Sequence, residues 1–93
     1  MSKRKGTYYE HRARRILEAA GYVCTRAGGS LGVFDLIAIG PHDVRCVQVK
    51  GGNRNYLSAV EREAIALLVV PGNVSKEAWR FPKHARAPLI EQL

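Results

Sequence analysis

Ninety-three residues suffice for one small domain and leave no room for a second core. Fifteen Lys and Arg against eight Asp and Glu leave a formal charge of +7, which favours a polyanionic partner, nucleic acid ahead of an anionic membrane surface. The longest apolar run, Ala64 to Val70, is far short of the about 20 residues a spanning helix needs, so a transmembrane role is excluded. Met1 to Lys5 is basic, but no apolar stretch follows it, so no signal peptide is read. Cys24 and Cys46 cannot build a disulfide scaffold or a four-cysteine zinc site, and their apolar settings suggest buried thiols. A cytoplasmic protein is expected.

Residues 1–6 read as a basic, mobile arm on a single domain spanning 1–93. A helix is expected next, because Thr7 and Glu10 have capping-box spacing and Tyr9, Ala13, Ile16, Leu17 and Ala20 recur at helical spacing. Gly21 suits its C-terminal stop. Tyr22 to Ala27 is rich in strand formers and ends at Gly28-Gly29, and Ser30-Leu31-Gly32 reads as a loop. Two strands follow, Val33 to Ile39 and Val44 to Lys50, joined by Gly40-Pro41-His42-Asp43, whose turn chemistry fits a hairpin. Residues 51–55 form a polar loop. Ser58 and Glu61 repeat the capping-box spacing and open a helix with the apolar set Val60, Ala64, Leu67 and Leu68. Pro71-Gly72-Asn73 breaks it, Ala78 to Phe81 is a further short strand, and the tail after Pro82 shows no clear pattern. The expected fold is α/β, a mixed and largely antiparallel sheet flanked by helices.

The hairpin places chemistry. If residues 40–43 are its turn, Ile39 faces Val44 and Asp35 lies opposite Gln48, with Cβ atoms about 4.5–5.5 Å apart on one face. Side chains alternate along a strand, so Lys50 shares that face. A carboxylate and an ammonium amid valines and isoleucines need partners. An Asp35–Lys50 ion pair meets that need; so does a divalent cation on Asp35 and the Gln48 oxygen, with Lys50 beside it. Glu10 falls at the edge of the first helix's apolar stripe, where it can face the sheet, although it also fits the second half of the Thr7 capping box.

Tyr9-Glu10, Gly21-Tyr22, Arg26-Ala27-Gly28-Gly29-Ser30, Asp35 to Ala38 and Val47-Gln48-Val49-Lys50, in this order over residues 6–70, resemble the PD-(D/E)XK nuclease superfamily, and within it the archaeal-type Holliday junction resolvases and their viral relatives. The resemblance implies a restriction-endonuclease-like core, a homodimer, and cleavage of branched DNA with Mg2+, for which Mn2+ can substitute. It implies that Glu10, Asp35 and Gln48 hold the metal, that Lys50 is the catalytic lysine, and that Ser30 stands near the scissile phosphate, an ordinary loop hydroxyl being the alternative for Ser30. For a viral relative, the compartment is the host-cell cytoplasm. Gln48 departs from the resolvase pattern, which carries Glu there, and matches Mrr-type restriction nucleases. A Gln oxygen still ligates a metal, but one negative charge is lost. DNA affinity is expected from phosphate contacts by Lys3, Arg4, Lys5, Arg12, Arg15, Arg26, Arg54, Lys83 and Arg86. The rival readings are an Mrr-like restriction or repair endonuclease on duplex DNA, and a non-catalytic DNA-binding module in which Asp35 and Lys50 merely pair.

Overall fold

A computed structural model describes residues 2–27 and 33–93. Helix α1 spans Ser2–Ala19. It reaches back over the segment expected as an arm, so Thr7 lies inside the helix and its expected capping box is not the helix start. The stop at Gly21 is borne out. Gly21 takes φ +98°, its N–H donates to the Glu18 carbonyl (3.0 Å), and the Tyr22 N–H donates to Leu17 (3.1 Å), which satisfies the last carbonyls of the helix.

The remaining elements are β1 (Val23–Arg26), β2 (Leu36–Ile39), β3 (Val44–Gly52), α2 (Ala59–Leu67), β4 (Val74–Pro82) and β5 (Leu89–Gln92). They form one sheet of order β1-β2-β3-β4-β5, antiparallel throughout except for the parallel β3–β4 pair, which α2 connects. The β2–β3 hairpin has the expected register, with Ile39 facing Val44 and Leu36 facing Val47. The strand expected over 78–81 runs from Val74, and the tail supplies β5 on the sheet's edge.

Alternation along the strands divides the core into two layers. Leu36, Ala38, Val47, Val49, Trp79 and Phe81 face α1 and pack on its Ala13 and Leu17, with Cys24, Tyr9 and Tyr22 closing the layer. Phe34, Cys46 and Ala78 face the other way and pack on Leu57 and Ile65 under α2. Both cysteines are buried and free, as expected. The apolar set read for α2 is corrected: Val60 and Leu67 are 77% and 73% exposed, and Ile65, absent from that set, is the buried residue of the helix. Lys76 fixes this helix from below. Its Nζ donates to the carbonyls of Ile65 (2.9 Å) and Leu68 (2.8 Å), placing a cation at the negative end of the α2 dipole.

One charge is buried in the α1 layer. Glu77 is 2% exposed, and both its oxygens are satisfied, by Arg45 (2.8 and 2.9 Å), Ser75 Oγ (2.6 Å) and Trp79 Nε1 (2.8 Å). Burial pushes its pKa up, but the bonds from Arg45, Ser75 and Trp79 outweigh this and hold it below the ordinary glutamate value. The Arg45 guanidinium stacks over Tyr22 and Trp79, so this end of the β3–β4 pair is locked.

Candidate active site

Asp35 sits in the bend that leads into β2. Its N–H donates to the Val47 carbonyl (2.8 Å), while its Oδ2 accepts from the Val49 N–H (2.7 Å). The carboxylate thus takes the place of a backbone acceptor beyond the last β2–β3 pair, which holds it near the plane of the sheet. Burial raises the Asp35 pKa; the Val49 N–H and the Lys50 charge oppose the rise, and Glu61 adds to it. Gln48 is 8% exposed and, with Lys50, lies on the α2 side of β3, as alternation requires.

Lys50 has an acidic partner of its own. Its Nζ lies 2.7 Å from Glu61 Oε2 on the first turn of α2. Glu61 is also the capping residue of that helix: its Oε1 accepts from the Ser58 N–H (3.0 Å), and its own N–H donates to Ser58 Oγ (3.1 Å). Burial favours protonated Glu61, but the bonds from Lys50 and the Ser58 N–H prevail and lower its pKa. Across the parallel pair, Lys50 stands beside Arg80, whose Nε is buried without a hydrogen-bond partner among the described residues.

Glu10 approaches from the α1 side. With His11, Arg14, Arg26 and Leu36 it lines a cavity of about 100 Å³, and its Oε1 lies 3.3 Å from Arg26 Nε. Burial raises its pKa, and the negative charge of Asp35 raises it further, so the two carboxylates act on one another; Arg26 and His11 oppose the rise. Tyr9 sets this part of the helix. Its ring packs on Phe81, with centroids 5.6 Å apart, and lies against the bare backbone of Gly51, where a side chain would overlap it.

Asp35, Gln48 and Lys50 therefore meet at one end of the β2–β3 hairpin, and Glu10 reaches the same end from the opposite layer. Ser30 lies outside the described residues, as do the side chains of Lys3, Arg4 and Lys5. Arg15, Arg54, Lys83 and Arg86 are exposed. Arg12 is engaged elsewhere: it donates to the carbonyls of Ala85 (3.3 Å) and Arg86 (3.0 Å) and stacks on Phe81, tying α1 to the β4–β5 turn. Sequence reading passed over Arg80 and the second role of Glu61. Their positions depend on the parallel register and on where α2 lands, and the only local signal was the Ser58–Glu61 spacing, which capping already explained.

Among the described residues no group of three or more Asp, Glu, His or Cys is placed to hold a metal ion. The donor set at the hairpin is two carboxylates and one amide oxygen. That set suits a hard, oxygen-seeking cation that keeps much of its water, and two half-buried carboxylates whose pKa values are raised by burial gain from a nearby positive charge.

A mixed five-stranded sheet flanked by two helices, with this hairpin at its mouth, defines the restriction-endonuclease-like fold. The structure is similar to that of Hjc from Archaeoglobus fulgidus, a Holliday junction resolvase from an archaeal hyperthermophile, with a TM-score of 0.74 and 23% identity over 95% of this chain and 72% of that one. No protein-family model and no curated protein matches the chain.

Proposed function

We propose that this chain is a structure-selective endonuclease that resolves four-way DNA junctions by Mg2+-dependent phosphodiester hydrolysis, with the whole chain acting as one nuclease unit. The observation that carries the reading is the register of the β2–β3 hairpin, which brings Asp35, Gln48 and Lys50 together at the sheet's mouth in a fold shared with the Hjc resolvase. Glu10, Asp35 and Gln48 would hold the cation. When bound, magnesium supplies Lewis acidity, polarising a phosphate oxygen and lowering the pKa of water. Lys50 then orients the attacking water or meets the charge that develops on the phosphate. Arg80, the register neighbour of Lys50 across the β3–β4 pair, adds a second cation to this side of the site. Ser30 belongs to the same site by resemblance. Mn2+ is expected to replace Mg2+, since both take oxygen ligands.

Lys3, Arg4, Lys5, Arg15, Arg26, Arg54, Lys83 and Arg86 form the phosphate-contacting set, and paired cuts across a crossover require two copies. The exposed Leu67, Val69, Leu89 and Ile90 offer apolar surface for such a homodimer. Among the described residues no helix is long and apolar enough to cross a membrane; the cytoplasmic site of action is part of the proposal and follows from the DNA substrate.

Gln48 favours a second reading, a duplex endonuclease of the Mrr type. Incubation with a four-way junction and a matched linear duplex, in magnesium or in chelator, separates the two. Metal-dependent cutting of the junction alone is the expected result; cutting of both selects the duplex endonuclease, and binding without cutting defeats both.

A further inference from the structure

We infer that Glu61 is a positioning residue: through its ion pair it sets where the Lys50 ammonium stands at the cleavage site. The inference rests on the nuclease reading of that site. Lysine carries a compact charge on a flexible four-carbon stem, so a strand position alone does not place its ammonium. A group acting on one water or one phosphate oxygen must be held by neighbours whose own rotamers are locked.

Glu61 meets that requirement. One carboxylate oxygen accepts from Lys50 Nζ at 2.7 Å, and the other accepts from the Ser58 N–H at 3.0 Å. Its backbone N–H is in turn held by Ser58 Oγ at 3.1 Å. The carboxylate is thus anchored to the start of α2, and the ammonium is anchored to the carboxylate. The strand does not supply an acid beside this lysine on its own face, because residue 48 is an amide; the helix supplies it instead.

Glu61→Gln isolates the ion pair, because a glutamine at this capping position still accepts from the Ser58 N–H while its charge is gone. In the wild type, a ¹⁵N-lysine spectrum should show an ordered Lys50 Nζ resonance, and Glu61→Gln should abolish it with only a small fall in the unfolding midpoint, as for a part-exposed ion pair. Single-turnover cleavage of a four-way junction in magnesium should slow by about 10- to 100-fold, with junction affinity unchanged. In a Lys50→Ala background the same substitution should cost nothing further, since the effect runs through Lys50. Glu61→Asp, which keeps the charge one methylene short, should recover part of the rate, and it carries the test should Glu61→Gln unfold.

An unaltered Nζ resonance, a wild-type rate in Glu61→Gln, or an equal loss in the Lys50→Ala background would each overturn the inference. A wild-type protein that does not cut any junction would instead overturn the nuclease reading, and the Nζ resonance would still decide whether Glu61 holds Lys50.

Discussion

Asp35 is held in a position that costs stability at neutral pH. Its pKa is raised by burial, so the carboxyl favours folding when protonated, below the ordinary aspartate pKa, and that contribution disappears as pH rises through the raised value. Asp35→Asn keeps an oxygen for the Val49 N–H and removes the half-buried charge. The variant should lose junction cleavage, retain DNA affinity, and melt no lower than wild type, with a gain of up to about 5 °C in a thermal scan at pH 7. Gln48→Glu restores a charge to the same face. It should keep cleavage and lower the magnesium concentration needed for half-maximal rate, as read in a metal titration. Asp35, Gln48 and Lys50 were legible because a four-residue turn pins a hairpin's register and alternation does the rest. Arg80 was not, because its place beside Lys50 depends on a parallel pairing separated by a helix, which leaves no local periodic trace.

At the level of elements, α2 was visible from its capping box, but the wrong side of it was taken as the core face. Val60, Ala64, Leu67 and the C-cap residue Leu68 were read as its apolar face, yet the helix is short and buries Ile65 alone. With so little buried, the helix depends on its ends. Lys76→Met removes the cation that binds the Ile65 and Leu68 carbonyls, and chemical denaturation should report a loss of about 1–2 kcal/mol. The opposite layer depends on close approach. In Gly51→Ala the new methyl would overlap the Tyr9 ring, forcing the turn of α1 that carries Glu10 away from the sheet. Cleavage should fall by at least about tenfold in that variant, with junction binding retained in a gel-shift assay.

Across the whole molecule, the excess of basic residues was plain in composition, whereas the use made of each one was not. Arg12 and Arg54 look equivalent in the sequence, but Arg12 spends its guanidinium on two carbonyls of the β4–β5 turn and on Phe81, while Arg54 is exposed in the loop after β3. Arg54→Ala should reduce the slope of log affinity against log salt by about 0.9, the share of one phosphate contact. Arg12→Ala should act instead on the melting temperature and leave that slope nearly unchanged. The edge strand β5 was illegible for a related reason. Leu89 and Ile90 are half-exposed on it, so no clean apolar alternation marks it, and its place follows from pairing with β4.

The β4 strand seats Trp79 and Phe81 beneath α1, pairs along the whole of β3, and brings Arg80 beside Lys50. A chain still emerging from the ribosome owns Glu10, Asp35 and Lys50 well before it owns the wall that gathers them. On the nuclease reading, synthesis order would keep the nascent polypeptide disarmed until β4 pairs with β3.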